Sequence, residues 1–318
     1  MSELHKFIFD GLPVRGRMVR LTDAWQQVLQ RRAANSRTGA YPPPVAELLG
    51  EMTAAAVLMQ SGIKFDGALI LQIAGDGLVK AAVAEVQADM RLRATASVAG
   101  AVPPGARLPD LVNAHGRGRC AITLDPKQRQ DGQQQYQGVV PLADESGAPL
   151  ASVASVIEHY MRQSEQLDTT LMLAADEQTA AGLLIQRLPA PGQRAGGDAE
   201  EDPFARLSIL ARSLRRDELL GLDAGAILHR LFWQEKLLRF APLTGSQGPR
   251  FACPCSRARV ATMLKSLGQQ EVQAIIAEQG QVEVGCEFCG RQERFDAVDA
   301  ARLFTPAQAL AAGPHTVQ

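Results

Sequence analysis

Four of the five cysteines stand in two close pairs, Cys253-Pro254-Cys255 and Cys286-Glu287-Phe288-Cys289, with thirty residues between them. Each pair can present two sulfurs to one point, which is metal-ligand spacing. A tetrahedral zinc site takes four soft donors at about 2.3 Å, and two short-spaced pairs on tight turns supply them. The Cys-x2-Cys half, followed by Gly290, has the form of a zinc knuckle, whereas the Cys-x-Cys half is a stiffer clamp, stiffened further by Pro254. Most four-cysteine zinc sites only staple a fold. Two structural disulfides would need an oxidising compartment, which nothing else in the chain suggests.

Catalytic zinc is not expected. Four thiolates fill the tetrahedron, and neither His229 nor His315 has the Glu two residues on that accompanies zinc in the deaminases. Reactive thiolates are a further possibility, because Arg250, Arg257, Arg259, Arg291 and Arg294 flank the pairs and cations lower thiol pKa. The blander expectation is that these arginines offset the charge of a zinc tetrathiolate. Cys120 stands alone in an apolar strand, which reads as a buried hydrophobe, and His115 has no recognisable partner. No phosphate loop is present: Gly75-Asp76-Gly77 lacks the third glycine, and Gly116-Arg117-Gly118 lacks the Lys-Ser/Thr of a P-loop.

The elements that must hold the cysteines are short. Ser256 is a candidate N-cap for a helix carrying Val260, Met263, Leu264 and Leu267, which Gly268 would end. A second helix holds Val272, Ile275 and Ile276 before Gly280, and Val282 and Val284 lead as a strand into the second pair. Upstream, Phe204 to Phe240 reads as helical and broken at Gly221 and Gly225. One apolar stripe there is Leu207, Leu210 and Leu214; the other is Ile227, Leu228, Leu231, Phe232 and Leu238. Short amphipathic helices cannot bury such faces alone, so they must dock on something. Arg212, Arg215, Arg216 and Arg230 lie among acidic residues and read as a solvated face.

Before that comes an acidic, Pro/Gly-rich stretch, Pro189 to Pro203, with the composition of an exposed linker. The first part of the chain reads as mixed strand and helix. Strand-like runs cover Phe7 to Phe9, Val14 to Leu21, Ala68 to Ile73, Leu78 to Val86, Cys120 to Leu124, Tyr136 to Val140, Leu171 to Ala174 and Gly182 to Leu188. Helices are expected after Thr22-Asp23, from the Pro42-Pro43-Pro44 run through Met59, and over Leu150 to Gln166. The expectation is an α+β fold: a core domain over 1–188, a linker with amphipathic helices over 189–242, a zinc-binding domain over 243–304 and a frayed tail over 305–318.

At 318 residues and 46% hydrophobic content the chain can bury a sizeable core. Lys+Arg 33 against Asp+Glu 34 gives a formal charge of -1, so there is no global field to draw nucleic acid or an anionic membrane. Met1 to Leu12 lacks a signal-peptide core, and the longest apolar run, Ala54 to Met59, is too short to span a bilayer. A reducing, cytoplasmic setting is the expectation. It would keep the cysteines as thiolates.

The sequence resembles the redox-regulated 33 kDa chaperonin family along nearly its whole length. The resemblance rests on both cysteine pairs, on Ser256-Arg257 and Val260, and on Arg294-Phe295-Asp296. It continues in Pro13-Val14-Arg15-Gly16, Lys64-Phe65-Asp66-Gly67, Gly75-Asp76-Gly77, Tyr136-Gln137-Gly138 and Gln163-Ser164-Glu165-Gln166-Leu167; Asp168 departs from the family's proline. It implies an ATP-independent holdase and no enzyme: a reduced, zinc-bound, inactive monomer and an oxidised, zinc-free, active homodimer that captures unfolding proteins. ATP-dependent foldases would act downstream. Cys253, Cys255, Cys286 and Cys289 carry over as the switch. On oxidation the short spacing pairs Cys253 with Cys255 and Cys286 with Cys289, and Leu207, Leu210, Leu214, Leu228, Leu231 and Phe232 form the linker face to be uncovered. The alternatives are a zinc-module nucleic-acid binder, which the charge balance disfavours, and a thiol oxidoreductase, which lacks a thioredoxin-like βαβ setting.

Overall fold

In the computed structural model, the structure describes residues 1–35, 38–128, 135–189 and 202–305. The Gly11-Leu12-Pro13 break folds β1 (Glu3–Phe9) back on β2 (Val14–Leu21), with Gly11 at φ 76 where a side chain would be strained. Helix α1 (Asp23–Ala33) follows, but Thr22 does not cap it by its side chain; the Asp23 carboxylate instead accepts from the N-terminal Ser2. Helix α2 (Pro43–Gln60) starts within the proline run and is buried on nearly every side. Ala54, Ala55, Ala56 and Val57 have no exposed surface, which small residues permit between two layers.

The two layers are sheets. One is built from β3 (Gly67–Ala74), β4 (Val79–Gln87) and β5 (Arg91–Val98), then, after the short α3 (Leu108–Val112), β6 (Arg119–Pro126) and β7 (Tyr136–Pro141). Helix α4 (Val153–Ser164) leads to β8 (Thr169–Ala175) and β9 (Ala180–Arg187), which join the first hairpin. Alternation along the strands divides the first sheet into two apolar faces. Leu4, Val19, Leu21 and Leu184 face the core around α2; Phe7, Phe9, Val14, Met18, Leu183 and Ile185 face away from it.

That second face is covered by α5 (Pro203–Arg212), α6 (Arg216–Gly221) and α7 (Ala224–Phe232). The chain then adds short strands: β10 (Leu237–Arg239) and β11 (Leu243–Thr244) pair with β1, and β12 (Arg250–Phe251) pairs in parallel with β5. The sheet orders are β10-β1-β2-β9-β8, with β11 also on β1, and β12-β5-β4-β3-β6-β7. The fold is α+β. Two details depart from the sequence expectation. The breaks fall at 213–215 and 222–223, because Asp223 caps α7 and leaves Gly225 inside it, and Leu238 lies on strand β10, 42% exposed, off the helical stripe. Strand β5 and helix α3 have no counterpart among the expected elements.

Contacts divide the chain into two compact units, Met1–Ala252 and Cys253–Gln318. Within the second, α8 (Arg257–Leu267), α9 (Gln269–Gln279), the hairpin β13 (Val282–Gly285) and β14 (Gln292–Phe295), and α10 (Ala297–Phe304) surround a small core of Leu264, Val272, Val282, Phe295 and Ala300. The acidic stretch over 190–201 and the tail from 306 lie outside the described residues. No helix among the described residues is long and apolar enough to cross a membrane.

Candidate metal centre

The second unit is punctuated as its sequence indicates. Ser256 caps α8 by accepting from the Arg259 N–H, Gly268 at φ 100 separates α8 from α9, and Gly280 ends α9 in the left-handed region. These stops aim two turns at each other. The first carries Cys253-Pro254-Cys255 ahead of α8; the second links β13 to β14 and carries Cys286 to Cys289. The second turn closes with Gly290 N–H donating to the Cys286 carbonyl at 2.8 Å and Cys286 N–H to the Arg291 carbonyl at 2.9 Å. Gly290 has φ 71, which explains a glycine after the pair.

All four sulfurs lie within 4.8 Å of one another. Cys253 Sγ is 3.6 Å from Cys286 Sγ, and Cys255 Sγ is 3.1 Å from Cys289 Sγ, so contact runs across the pairs. A tetrahedron with metal–sulfur bonds of about 2.3 Å has its sulfurs about 3.8 Å apart, and this donor set fits one. Without a cation the cluster resists ionisation. Burial pushes the thiols of Cys286 and Cys289 up to about 11, and hydrogen bonds among neighbouring sulfurs add to the rise. Four thiols this close cannot all ionise on their own; a dication reverses that balance. The backbone N–H groups of Phe288 and Cys289 point at Cys286 Sγ, as in a turn built to hold thiolate.

Four of the five flanking arginines meet carboxylates, and the fifth, Arg259, donates to the Pro254 carbonyl at 3.3 Å. Arg257 reaches Asp299 at 2.6 Å and stacks over Phe295 at 4.1 Å, Arg291 reaches Glu293 at 2.7 Å, and Arg294 reaches Glu283 at 3.5 Å. Arg250 belongs to the first unit, paired with Asp89 at 3.1 Å. Cations tied down in this way fold their units and offer little to nucleic acid. Cys120 is fully buried in β6, far from the cluster in sequence and in the other unit, and burial pushes its thiol up to about 12. His115 does have a neighbour: Nδ1 lies 3.7 Å from Asp76 Oδ2.

In the first unit, Leu207, Leu214, Leu228, Leu231 and Phe232 are all buried against the outer face of the first sheet, while Leu210 is only partly covered. Gly16 sits opposite Phe7, and a Cβ there would fall 2.1 Å from the Phe7 ring, so glycine lets that ring lie on the sheet beneath α7. The arginines of these helices are exposed, as their sequence context indicates, and several also pair with carboxylates. Arg212 reaches Glu158 at 3.0 Å, Arg216 reaches Glu47 at 3.1 Å, and Arg230 reaches Glu218 at 2.7 Å. The carboxylates at 158 and 47 lie on α4 and α2, far off in sequence, so no local signal marks them.

A family model described as Hsp33 protein matches residues 2–296. The 33 kDa chaperonin of Chromobacterium violaceum is 46% identical over 303 residues, covering 95% of this chain and 94% of the relative. That of Methylobacillus flagellatus is 40% identical over 305 residues, covering 96% and 94%. The crystal structure of the 33 kDa chaperonin from Thermotoga maritima superposes with a TM-score of 0.72 at 17% identity, covering 95% of this chain and 97% of that one. At that identity the likeness speaks for the fold.

Proposed function

The chain belongs to the Hsp33 family and functions as a chaperone, and from that premise we propose that it is a redox-regulated, ATP-independent holdase. The observation that carries the redox part is the four-sulfur cluster in a unit whose own apolar core, among the described residues, is five buried side chains. So small a core leaves the fold of the unit dependent on what joins the sulfurs. In the reduced state Cys253, Cys255, Cys286 and Cys289 hold one zinc ion, which supplies positive charge and four cross-links to the module.

Oxidation removes those donors. As each disulfide forms, its two thiolates give up two electrons to one peroxide, which takes two protons from solvent and leaves as two waters. Cys253 joins Cys255 and Cys286 joins Cys289, although in the folded cluster the sulfurs approach across the pairs. Once the module unfolds, chain spacing and not cluster geometry selects the partner, and each thiol's nearest neighbour along the chain is in its own pair.

In this reading a linker over 189–242 joins a core over 1–188 to a switch domain over 243–304, whose residues up to Ala252, with β11 and β12, pack in the first unit. Helices α6 and α7 have six and nine residues, too short to persist undocked, so oxidation that loosens them uncovers Leu207, Leu214, Leu228, Leu231 and Phe232 with the sheet face beneath. Unfolding clients or a second copy of the chain rebury that surface. The protein works in a reducing cytoplasm and hands clients to ATP-dependent foldases. The test is suppression of a denaturing protein's aggregation by zinc-loaded protein, with and without peroxide and mild heat. Activity only after peroxide is expected; equal activity in both states removes the switch.

A further inference from the structure

The inner face of the first sheet ends in cations. Arg15, Arg17, Val19 and Leu21 share that face of β2, and Lys6 stands opposite Arg17 on β1. Arg17 is 5% exposed. Arg15 donates to Gln186 Oε1 at 2.6 and 3.1 Å, but the Arg17 guanidinium has no hydrogen-bond or ion-pair partner among the described residues. Buried guanidinium groups are ordinarily paired, because unmet desolvation is expensive. A Cβ on Gly62 would fall 2.4 Å from Arg17 Cζ, so the group rests against the backbone just past the end of α2. The partial negative charge of that helix end offsets some of the cost. It leaves the donors open.

They open into a cavity. Arg15 and Arg17 line a space of about 340 Å³. Its remaining walls are mostly apolar: Met59, Ile63, Leu69, Ile122, Leu124 and Leu184. The carboxylate in the wall, Glu165, is engaged by the hydroxyls of Tyr136 at 2.9 Å and Tyr160 at 3.1 Å and does not reach Arg17. It also repels an anion from that side, which sets the head of an anionic ligand at the arginine end.

We infer that this cavity is a binding site for a small carboxylate with an apolar chain. The carboxylate pairs with Arg17, a guanidinium being suited to two parallel N–H···O bonds, with Arg15 adjacent, and the chain lies along the aliphatic walls. The site lies within the first unit and uses none of the paired cysteines.

Isothermal titration of the full reduced chain with octanoate, octan-1-ol and inorganic phosphate tests it. Saturable binding of octanoate alone is expected. Arg17→Met should weaken it at least tenfold without lowering Tm, since it removes a buried cation that lacks a partner, and Arg17→Lys should restore part of the affinity. Leu124→Trp, which fills the apolar end and keeps both arginines, should give an independent loss. Absence of saturable octanoate binding, equal binding of octanol, or unchanged affinity in Arg17→Met overturns the assignment.

Discussion

Phe232 of α7 meets Phe9 of β1 edge to face, with ring centroids 5.0 Å apart and planes at 89°. Phe9 lies in the first strand and Phe232 at the end of the last linker helix, so this contact pins the segment to the sheet. Removing the ring costs about 3–5 kcal/mol in a packed core. Reduced, zinc-loaded Phe232→Ala should therefore suppress aggregation without peroxide, and Leu231→Asp more strongly. Hydrogen exchange over residues 204–232 should rise in both. Unchanged protection in a variant that has become active would place the switch elsewhere.

Reduced protein should hold one zinc per chain, contributing on the order of 10 kcal/mol to folding of the second unit. Cys286→Ser should lose the metal, and circular dichroism should show lost helix while the first unit keeps its cooperative melt. Peroxide should consume four thiols. Cys120, with no exposed surface and its thiol pushed up to about 12 by burial, should remain unalkylated until the first unit unfolds.

Disulfide mapping of partly oxidised protein should find Cys286–Cys289 before Cys253–Cys255. One intervening residue closes a smaller, more strained ring, and strain raises reduction potential. Bridges between the pairs, such as Cys255–Cys289, would refute the pairing despite the 3.1 Å approach of those sulfurs.

Glu51 of α2 lies in a cleft with Glu47, and burial, with Glu47 adding and Arg216 opposing, pushes its carboxyl up to about 8 from 4.5. The folded state therefore binds more protons than the unfolded state between those values. Its contribution is full below the unfolded value of 4.5 and lost as pH rises through about 8. Urea midpoints should fall across that window in the parent and fall less in Glu51→Gln. Parallel profiles would show that Glu51 ionises as it does in water.

What the sequence by itself determined is local. The two cysteine pairs, the Ser256 cap, the stops at Gly268 and Gly280, and the proline start of α2 each follow from the residue's own chemistry or from its neighbours one turn away. The stripes of α5 and α7 were legible too, because an amphipathic helix declares that it has a buried face. It does not declare against what. Tertiary structure alone decided that Phe232 finds Phe9 and that Arg212 finds Glu158. It also decided that Leu237–Arg239, written in residues that continue the helical pattern, becomes a strand, because the open edge of β1 offers backbone partners to a segment too short to form structure alone. The same holds for Arg17: its place in an alternating strand was readable, but the cavity it faces is walled by both sheets and the end of α2, and only their packing puts a buried cation there without a partner among the described residues.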